Sequence, residues 1–291
     1  MWWLVSALIV ALTPMAFAQA PSQPTPPECV WSEQELGPHT DRWRRCAGAT
    51  PPGSALHSLA LINLGTEAFL RRDYAEAVRL YDAARPPAGT RMTSDVMFHS
   101  YRSAAYARVG RLEDAVVDAQ LASVMLEAPM SARRDAVVPQ GADVELAYAL
   151  ILPILHSAND RAFAGALERY KALPASDWVS IARRAAVMEE IGDFASAISL
   201  NEQALSMQPG HPMLANNHCY ILTRAGRAAE GLPFCEKAVA GAPDEASVRH
   251  SYAAALAAAG KCERSRHELG VAQRLDPVSA EYRKELTCTA Q

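Results

Sequence analysis

Apolar and small residues follow a helical spacing through the C-terminal part of the chain. Within the segment 178–211, this pattern predicts one helix over Trp178–Glu190, a turn at Gly192 and a second helix from Asp193 that stops before Pro209. Proline cannot continue a helix, and glycine tolerates the positive φ of a tight turn. A single pair of amphipathic helices cannot bury its own apolar face, so neighbouring pairs must stack.

Three residue types recur with a period of 34 residues in this part of the chain. Alanine follows the turn glycine by 12 residues and proline follows it by 17. The recurring residues are Gly192, Gly226 and Gly260, Ala204, Ala238 and Ala272, and Pro209, Pro243 and Pro277. A period of this length is typical of a two-helix unit in a stacked array.

This pattern resembles the tetratricopeptide repeat. The family has small residues at its eighth and twentieth positions, an alanine at its twenty-seventh and a proline at its thirty-second. The small residues that match are Ala185, Cys219, Ala253, Ala197, Gly231 and Ser265. The chain departs from the family at the usual leucine position, and also at the twenty-fourth position, where the family has an aromatic residue. The departing residues are Arg184, His218 and Tyr252 at the first position, and Asn201 and Cys235 at the second.

The resemblance extends towards the N-terminus with less fidelity. Good repeats begin near Ser58 and Val96, and a degenerate hairpin follows with helices near Val144–His156 and Arg161–Leu173. The resemblance implies an all-α fold, a right-handed α-solenoid of about six helix hairpins plus a C-terminal capping helix. Together with the N-terminal features described below, the resemblance predicts the following divisions. They are a signal peptide (1–18), a proline-rich linker (19–28), an N-terminal disulfide-closed segment (29–54), repeats 1 and 2 (55–129), a loop (130–142), the degenerate hairpin (143–174), repeats 4 to 6 (175–279), and a capping helix with a tail (280–291).

The first eighteen residues predict a secretion signal. They carry no charged side chain, and their apolar run is followed by Pro14 and by small residues at Ala16 and Ala18, which suit a cleavage site. The run is shorter than the roughly 20 residues that a membrane span needs. We expect cleavage after Ala18, no remaining membrane span, and a periplasmic or secreted protein. A retained anchor is the alternative, because no Lys or Arg precedes the apolar run.

The six cysteines allow fifteen pairings, and an oxidising compartment would let them form disulfides. The resemblance to the repeat places two cysteines on facing helices of one hairpin, and two others at the start of the last repeat helix and the end of the capping helix. The implied bonds are Cys219–Cys235 and Cys262–Cys288, with Cys29–Cys46 as the remaining pair.

Two alternatives would give these cysteines a chemical role. His218, His250 and His267 lie among them, which raises a metal site or a catalytic thiol of Cys219 paired with His218. The chain has no CxxC or HxxxH spacing here, and adjacent residues of a helix point in different directions. We therefore expect neither a metal nor a catalytic thiol.

The resemblance also implies that the first helix of each hairpin lines a concave surface. Residues at offsets 2, 5, 9 and 12 of such a helix share one stripe. The candidate partner-binding residues on or beside these stripes are Met213, Asn216, Asn217, Tyr220, Arg224 and His250, with Ser100, Tyr101 and Arg108 in the repeat from Val96. The stripes taken together are mostly small and weakly polar, which favours a docked helix or extended peptide over a highly charged ligand. The alternative is that these faces are simply solvated.

One binding mode of the family can be tested against the sequence. Some members clamp a terminal carboxylate of a chaperone with Lys, Asn and Arg across three repeats. Asn217 alone matches that set in the last three repeats, and the other clamp positions hold Ala182, Ala186, Ser247 and Ser251. We do not expect this mode.

Composition and motifs narrow the function further. Half of the residues are apolar, which excludes a disordered chain, and 28 basic against 32 acidic residues exclude the broad basic surface of a nucleic-acid binder. The chain has no GxSxG, P-loop, GxGxxG or HExxH motif. The adjacent charges of Arg183-Arg184 and Glu189-Glu190 are expected to be solvated. We expect no enzyme and no cofactor.

The prediction that combines these features is an exported scaffold that binds a peptide or helix of a protein partner. The alternative is a structural or self-associating spacer, or an auxiliary subunit, of an envelope, secretion or maturation complex. The auxiliary-subunit alternative rests on analogy with the family alone.

Overall fold

The computed structural model describes residues 25–30, 40–84, 96–127 and 142–288. The predicted signal peptide, most of the linker and almost all of the predicted loop at 130–142 lie outside the described residues. The chain divides after Leu173 into two compact parts, which we call the N-terminal unit and the C-terminal unit. All regular structure in the described residues is helical, and the predicted all-α solenoid class is confirmed.

The N-terminal unit begins with a single 3-10 turn at Pro27–Cys29. Its helices are α1 (Thr40–Ala49), α2 (Ala55–Leu70), α3 (Tyr74–Ala83), α4 (Val96–Arg108), α5 (Leu112–Glu127), α6 (Ala142–Ser157) and α7 (Phe163–Ala172). Three hairpins follow from the pairs α2/α3, α4/α5 and α6/α7, and α4 also packs on α6. The degenerate hairpin of the sequence is therefore a complete hairpin in the structure.

The segment before the first repeat contains a helix that the sequence did not predict. Helix α1 packs on α2 and buries Trp43 and Cys46. Cys46 is bonded to Cys29 of the 3-10 turn, with 4.9 Å between the two Cα atoms. The predicted disulfide closure of this segment is thus present, and α1 is the element that it holds.

The C-terminal unit contains three hairpins in succession. Its helices are α8 (Trp178–Glu190), α9 (Phe194–Met207), α10 (Pro212–Arg224), α11 (Ala228–Gly241), α12 (Ala246–Ala258) and α13 (Cys262–Leu275). Helix α10 packs on α9 of the preceding hairpin, and α11 packs on α12 of the next. Each hairpin therefore buries its apolar face against its neighbours, as the repeat requires.

All six hairpins share one turn geometry. A residue with positive φ ends each first helix, and the amide that follows it donates to the carbonyl five residues earlier, as in a Schellman motif. The residues with positive φ are Arg72, Gly110, Asn159, Gly192, Gly226 and Gly260. The donating amides are those of Asp73, Arg111, Asp160, Asp193, Arg227 and Lys261, at 2.8–2.9 Å. The turn glycines of the 34-residue period thus have a conformational origin.

Close helix approach explains the small residues of the pattern. A Cβ atom on Gly231 of α11 would lie 2.9 Å from the Cys219 carbonyl oxygen of α10. Gly65 of α2 has the same role in the N-terminal unit, where a Cβ atom would lie 2.7 Å from the Tyr81 ring. Real Cβ atoms do not approach other atoms this closely, so a larger residue would push the helices apart.

The segment after α13 differs from the prediction. Residues 280–284 form turns and residues 285–288 are irregular, so the expected capping helix near 280–287 is wrong. The carbonyls of Val278 and Tyr282 accept hydrogen bonds from the side chains of Arg283 and Gln273, at 2.6 and 2.8 Å, and not from helix amides. A short helix is marginal by itself. The segment caps the last hairpin as turns, with the Tyr282 side chain buried against Ala246 and Ala272.

The two remaining disulfides lie in the C-terminal unit, and all three predicted pairs are present. Cys219 of α10 is bonded to Cys235 of α11, inside one hairpin, with a Cα–Cα distance of 5.3 Å. Cys262 at the start of α13 is bonded to Cys288 at 5.6 Å. The second bond fastens the capping segment along α13.

Candidate partner-binding surface

Helix α10 carries the central part of the predicted surface. Asn216, Tyr220 and Arg224 are spaced four residues apart and therefore share one face of α10. Met213 behaves differently, because it packs against a core cluster formed by Ala215 of α10 itself, Ala238 of α11 and Val248 of α12. Asn217 is half-buried beside the stripe. The polar face of α10 is thus narrower than the sequence predicted.

This face of α10 is joined to α8 by an ion pair. The Arg224 guanidinium lies 2.8 Å from the Glu189 carboxylate at the end of α8. The Glu189 side chain is 1% exposed and that of Arg224 is 46% exposed. Arg224 also donates to the Tyr220 hydroxyl at 3.4 Å. The three side chains form a polar group with a buried acidic end and an accessible basic end.

Burial dominates the electrostatics of this group. It raises the pKa of Glu189 above its ordinary value, although the positive charge of Arg224 acts in the opposite direction. Burial also raises the pKa of Tyr220, against a hydrogen bond from Arg224 that lowers it. The phenol is therefore protonated at neutral pH and can serve as a hydrogen-bond donor.

Asn216 is the most unusual residue on this face. Its side chain is 1% exposed, and neither its amide nitrogen nor its amide oxygen has a hydrogen-bond partner among the described residues. A buried amide without partners costs free energy relative to one in water. Asn216 therefore holds a donor and an acceptor that remain to be satisfied.

Helix α12 contributes His250 at the same register of the next repeat. The imidazole is half-buried, with its centroid 5.0 Å from the Tyr282 ring of the capping segment. Burial lowers the pKa of His250, although the negative charge of Glu281 acts to raise it. The neutral form of His250 is therefore favoured at neutral pH, which suits a hydrogen-bonding surface more than a charged one.

The candidates on α4 lie in the N-terminal unit and form a different environment. Ser100 and Tyr101 are buried, and the Ser100 hydroxyl donates to the Val96 carbonyl at 2.8 Å. Arg108 is exposed, 6.0 Å from the centre of the Tyr74 ring. Of these three predicted residues, Arg108 alone presents an exposed side chain.

Sequence reasoning missed two buried charge groups. Glu189 and Arg183 were expected to be solvated, yet both are buried. The second group lies in the N-terminal unit, where buried Asp118 of α5 accepts from Arg102 at 2.6 and 2.9 Å and lies 2.8 Å from His99 Nδ1. The first of these groups is the ion pair of Glu189 with Arg224. A signal for it was available in the sequence, because the two opposite charges occur at the ends of successive first helices.

The chemical alternatives for the cysteines can now be compared with the structure. Cys219 is bonded to Cys235 and so has no thiol to act as a nucleophile. Within the described ranges, no three His, Cys, Asp or Glu side chains come together as metal ligands would. No helix in the same ranges has the length and apolar character needed to cross a membrane.

The stacked hairpins of both units are those of a helical repeat protein. No family model matches the sequence, and no curated protein does. The fold is similar to that of a tetratricopeptide repeat protein from Parabacteroides merdae, with a TM-score of 0.58 and 14% identity, over 84% of this chain and 88% of the other. It is also similar to a chain of the APC/C hetero-tetramer Cut9–Hcn1, with a TM-score of 0.51 and 11% identity, over 84% of this chain and 45% of the other.

A third solved structure is more distant. It is PilW, a type IV pilus biogenesis factor, with a TM-score of 0.48 and 15% identity over 77% of this chain and 96% of the other. The two nearer likenesses establish the fold. The chain has the tetratricopeptide repeat fold, and the resemblance inferred from the 34-residue period is confirmed at that level.

Proposed function

We propose that this protein is an exported, non-catalytic scaffold whose C-terminal unit binds a peptide or helix of a partner protein. The binding surface is the polar face of α10 together with His250 of α12. The fold supports this proposal in general terms, because stacked hairpins create extended surfaces for partner segments.

The observation that carries the proposal is the polar row on this face of α10, which begins at the buried amide of Asn216 and becomes accessible at Arg224. An extended peptide offers backbone carbonyls, which accept hydrogen bonds from such donors. Tyr220 adds a phenol donor one turn further along α10, and Arg224 adds an accessible guanidinium one turn beyond it. A bound segment would thus meet a row of hydrogen-bonding groups at helical spacing.

Export is supported by the leader-like sequence and by the three disulfides. Disulfides persist in the periplasm and outside the cell, whereas the cytosol keeps thiols reduced. N-terminal sequencing of the protein purified from its native host tests this part. We expect Gln19 as the first residue, and a protein that retains Met1 would contradict cleavage.

Site-specific photo-crosslinking in the native host tests the binding surface. A photoreactive residue at Tyr220 is expected to capture a partner, and the same residue at exposed Arg266 of α13 is the matched control. The double variant Asn216→Ala/Tyr220→Ala should weaken co-purification of that partner by about tenfold or more. If the double variant retains the partner as the wild type does, and its circular dichroism is unchanged, the assignment of the surface is wrong.

A further inference from the structure

Helix α5 buries polar side chains and exposes aliphatic ones, the reverse of the usual arrangement on a surface helix. The proposed binding surface on α10 does not account for this. The inner face of α5 buries Asp118 and Ser123. Its outer face exposes Val117, Leu121 and Val124, which are 56%, 42% and 64% exposed. These three residues follow the spacing i, i+4, i+7 and therefore form one stripe. We call this stripe the α5 patch.

Folding of the hairpin does not require the α5 patch. The inner face of α5 is already packed, because Asp118 is bonded to Arg102 and His99, and the other buried residues of the helix are three alanines, Ser123 and Leu126. Helix α13, at the same position of its own hairpin, shows what a solvated outer face looks like. Its exposed residues in the first two turns are Glu263, Arg264, Arg266 and His267.

The surroundings of the α5 patch are acidic. Glu113, one turn before Val117, is exposed and pairs with no cation among the described residues. Arg111 lies 2.7 Å from two carboxylates, those of Asp82 and Asp114, so this group retains a negative charge. At the other end of α5, Arg169 only neutralises Glu127, at 2.8 Å.

We propose that the α5 patch binds an amphipathic helix of a partner protein that carries Lys or Arg beside its apolar stripe. A helical stripe of three aliphatic residues matches the i, i+3, i+4 anchors of such a helix. We call Glu113 and the Asp82/Asp114 group beside the patch the acidic rim. The negative charge of the acidic rim favours a partner helix with basic flanking residues. It disfavours binding of a second copy of this chain, because two acidic rims would then be brought close together. The α5 patch shares no residue with the polar face of α10.

Binding of two synthetic helical peptides to the purified full protein tests the proposal. One peptide combines a leucine stripe with lysine flanks, and the other has the same stripe with glutamate flanks. We expect the lysine peptide to bind at least roughly tenfold more tightly, with an affinity that falls as salt increases. Equal binding of the two peptides would overturn the role of the acidic rim.

Two triple variants locate the interaction. Val117→Gln/Leu121→Gln/Val124→Gln should weaken binding of the lysine peptide by about tenfold or more. The control Met207→Gln/Leu275→Gln/Val278→Gln removes three exposed apolar residues of the C-terminal unit and should leave the affinity unchanged. The variant Asn216→Ala/Tyr220→Ala should also leave it unchanged, which separates this proposal from the proposed function.

Three further outcomes would refute the proposal. The first is unchanged binding by the α5 triple variant, and the second is equal loss in the control. The third is self-association of the wild-type protein in sedimentation that the α5 triple variant abolishes, because the patch would then bind a second copy of the chain.

Discussion

The two units build the same hairpin from different residues. Every hairpin turn has a residue at positive φ and the same hydrogen bond across five residues. The C-terminal unit uses glycine at all three turns, whereas the N-terminal unit uses Arg72 and Asn159 at two of its three. The fold therefore requires the turn conformation and not the glycine. Glycine adopts this conformation most easily. The 34-residue period is therefore clear in the C-terminal unit, where glycine occurs at every turn.

The interiors of one hairpin from each unit differ as well. The α4/α5 hairpin buries a charged group, in which Asp118 joins His99 and Arg102. The α10/α11 hairpin instead holds a disulfide between Cys219 and Cys235 in its apolar core. Removal of one member of a buried charge group leaves the other charges buried without a partner, which strongly destabilises the folded protein. A disulfide stabilises the protein mainly by restricting the conformations of the unfolded chain. These two hairpins should therefore respond to different perturbations.

The largest effect is expected from Asp118→Ala. It leaves Arg102 and His99 buried without their common carboxylate, and it should lower the free energy of unfolding by about 3–5 kcal/mol. Urea denaturation followed by circular dichroism measures the loss, and hydrogen exchange should show it in the N-terminal unit. The exposed Asp244→Ala is the control and should change stability by less than about 0.5 kcal/mol. A loss no greater than that of the control would contradict the role of this group.

The same residue predicts an acid sensitivity of the N-terminal unit. Burial alone would raise the pKa of Asp118, but the hydrogen bonds from Arg102 and His99 lower it below its ordinary value. Its contribution is therefore complete above the unfolded pKa of about 3.9, and is lost as the pH falls through the lower pKa of the folded state. Asp118→Ala should remove this part of the pH dependence in unfolding measured from pH 5 to pH 2.

Loss of the Cys219–Cys235 bond should be the next largest effect. The double variant Cys219→Ala/Cys235→Ala opens a loop of 16 residues, and it should cost roughly 3 kcal/mol. Thermal unfolding with hydrogen exchange should place the loss in the C-terminal unit, and added reductant should destabilise this variant less than the wild type. Titration of denatured, unreduced wild-type protein should find no free thiol. Two or more thiols per chain would contradict the three bonds.

Exchange of the turn residues tests the comparison directly. Gly226→Ala should lower the free energy of unfolding by about 1–2 kcal/mol, because alanine is strained at a φ of 75°. The backbone is the only source of this loss, since a Cβ atom at this position would meet no neighbour within 4 Å. Arg72→Gly should raise it by up to about 1 kcal/mol, because it relieves the same backbone conformation at φ 65°. Urea midpoints of both variants measure these changes. Shifts of the same sign would show that the two turns are not equivalent.

The smallest effect is expected from His218→Leu, which restores the residue usual at this position of the repeat. His218 is buried against Phe234, its Nδ1 has no hydrogen-bond partner among the described residues, and burial lowers its pKa. Wild-type stability should therefore fall as the pH drops below the unfolded pKa of about 6.5. The variant should gain about 1 kcal/mol at pH 7 and lose this pH dependence. An unchanged slope between pH 7 and pH 5 would contradict this assignment.

The repeat positions largely determined what could be predicted from the sequence. Gly192, Gly226 and Gly260 marked their turns, and the positions of Cys219 and Cys235 implied their bond. Arg72 and Asn159 gave no comparable turn signal, because both residue types are common on solvated surfaces. Helix α1 was missed because its buried side chains are only Trp43 and Cys46.

The candidate surface was less predictable than the fold. Helical spacing grouped Asn216, Tyr220 and Arg224, which share a face of α10. Spacing could not show that Glu189 is buried beneath Arg224, since the contact depends on how α8 and α10 pack. Spacing could not show either that half-buried Met213 packs against Ala238 and Val248, since this contact depends on how α11 and α12 pack on α10.

The capping segment determines how this array can grow. A stack of identical hairpins leaves an apolar face exposed on its last hairpin, and a further hairpin or another molecule could pack on that face. Here the place of the next hairpin is occupied by Tyr282, which is seated on Ala246 and Ala272, and the bond between Cys262 and Cys288 keeps the segment in place. The bond thus helps to keep the face of the last hairpin covered, so that no further hairpin packs there. An engineered chain with an additional repeat would have to insert it before Ala246 and keep this closing piece last.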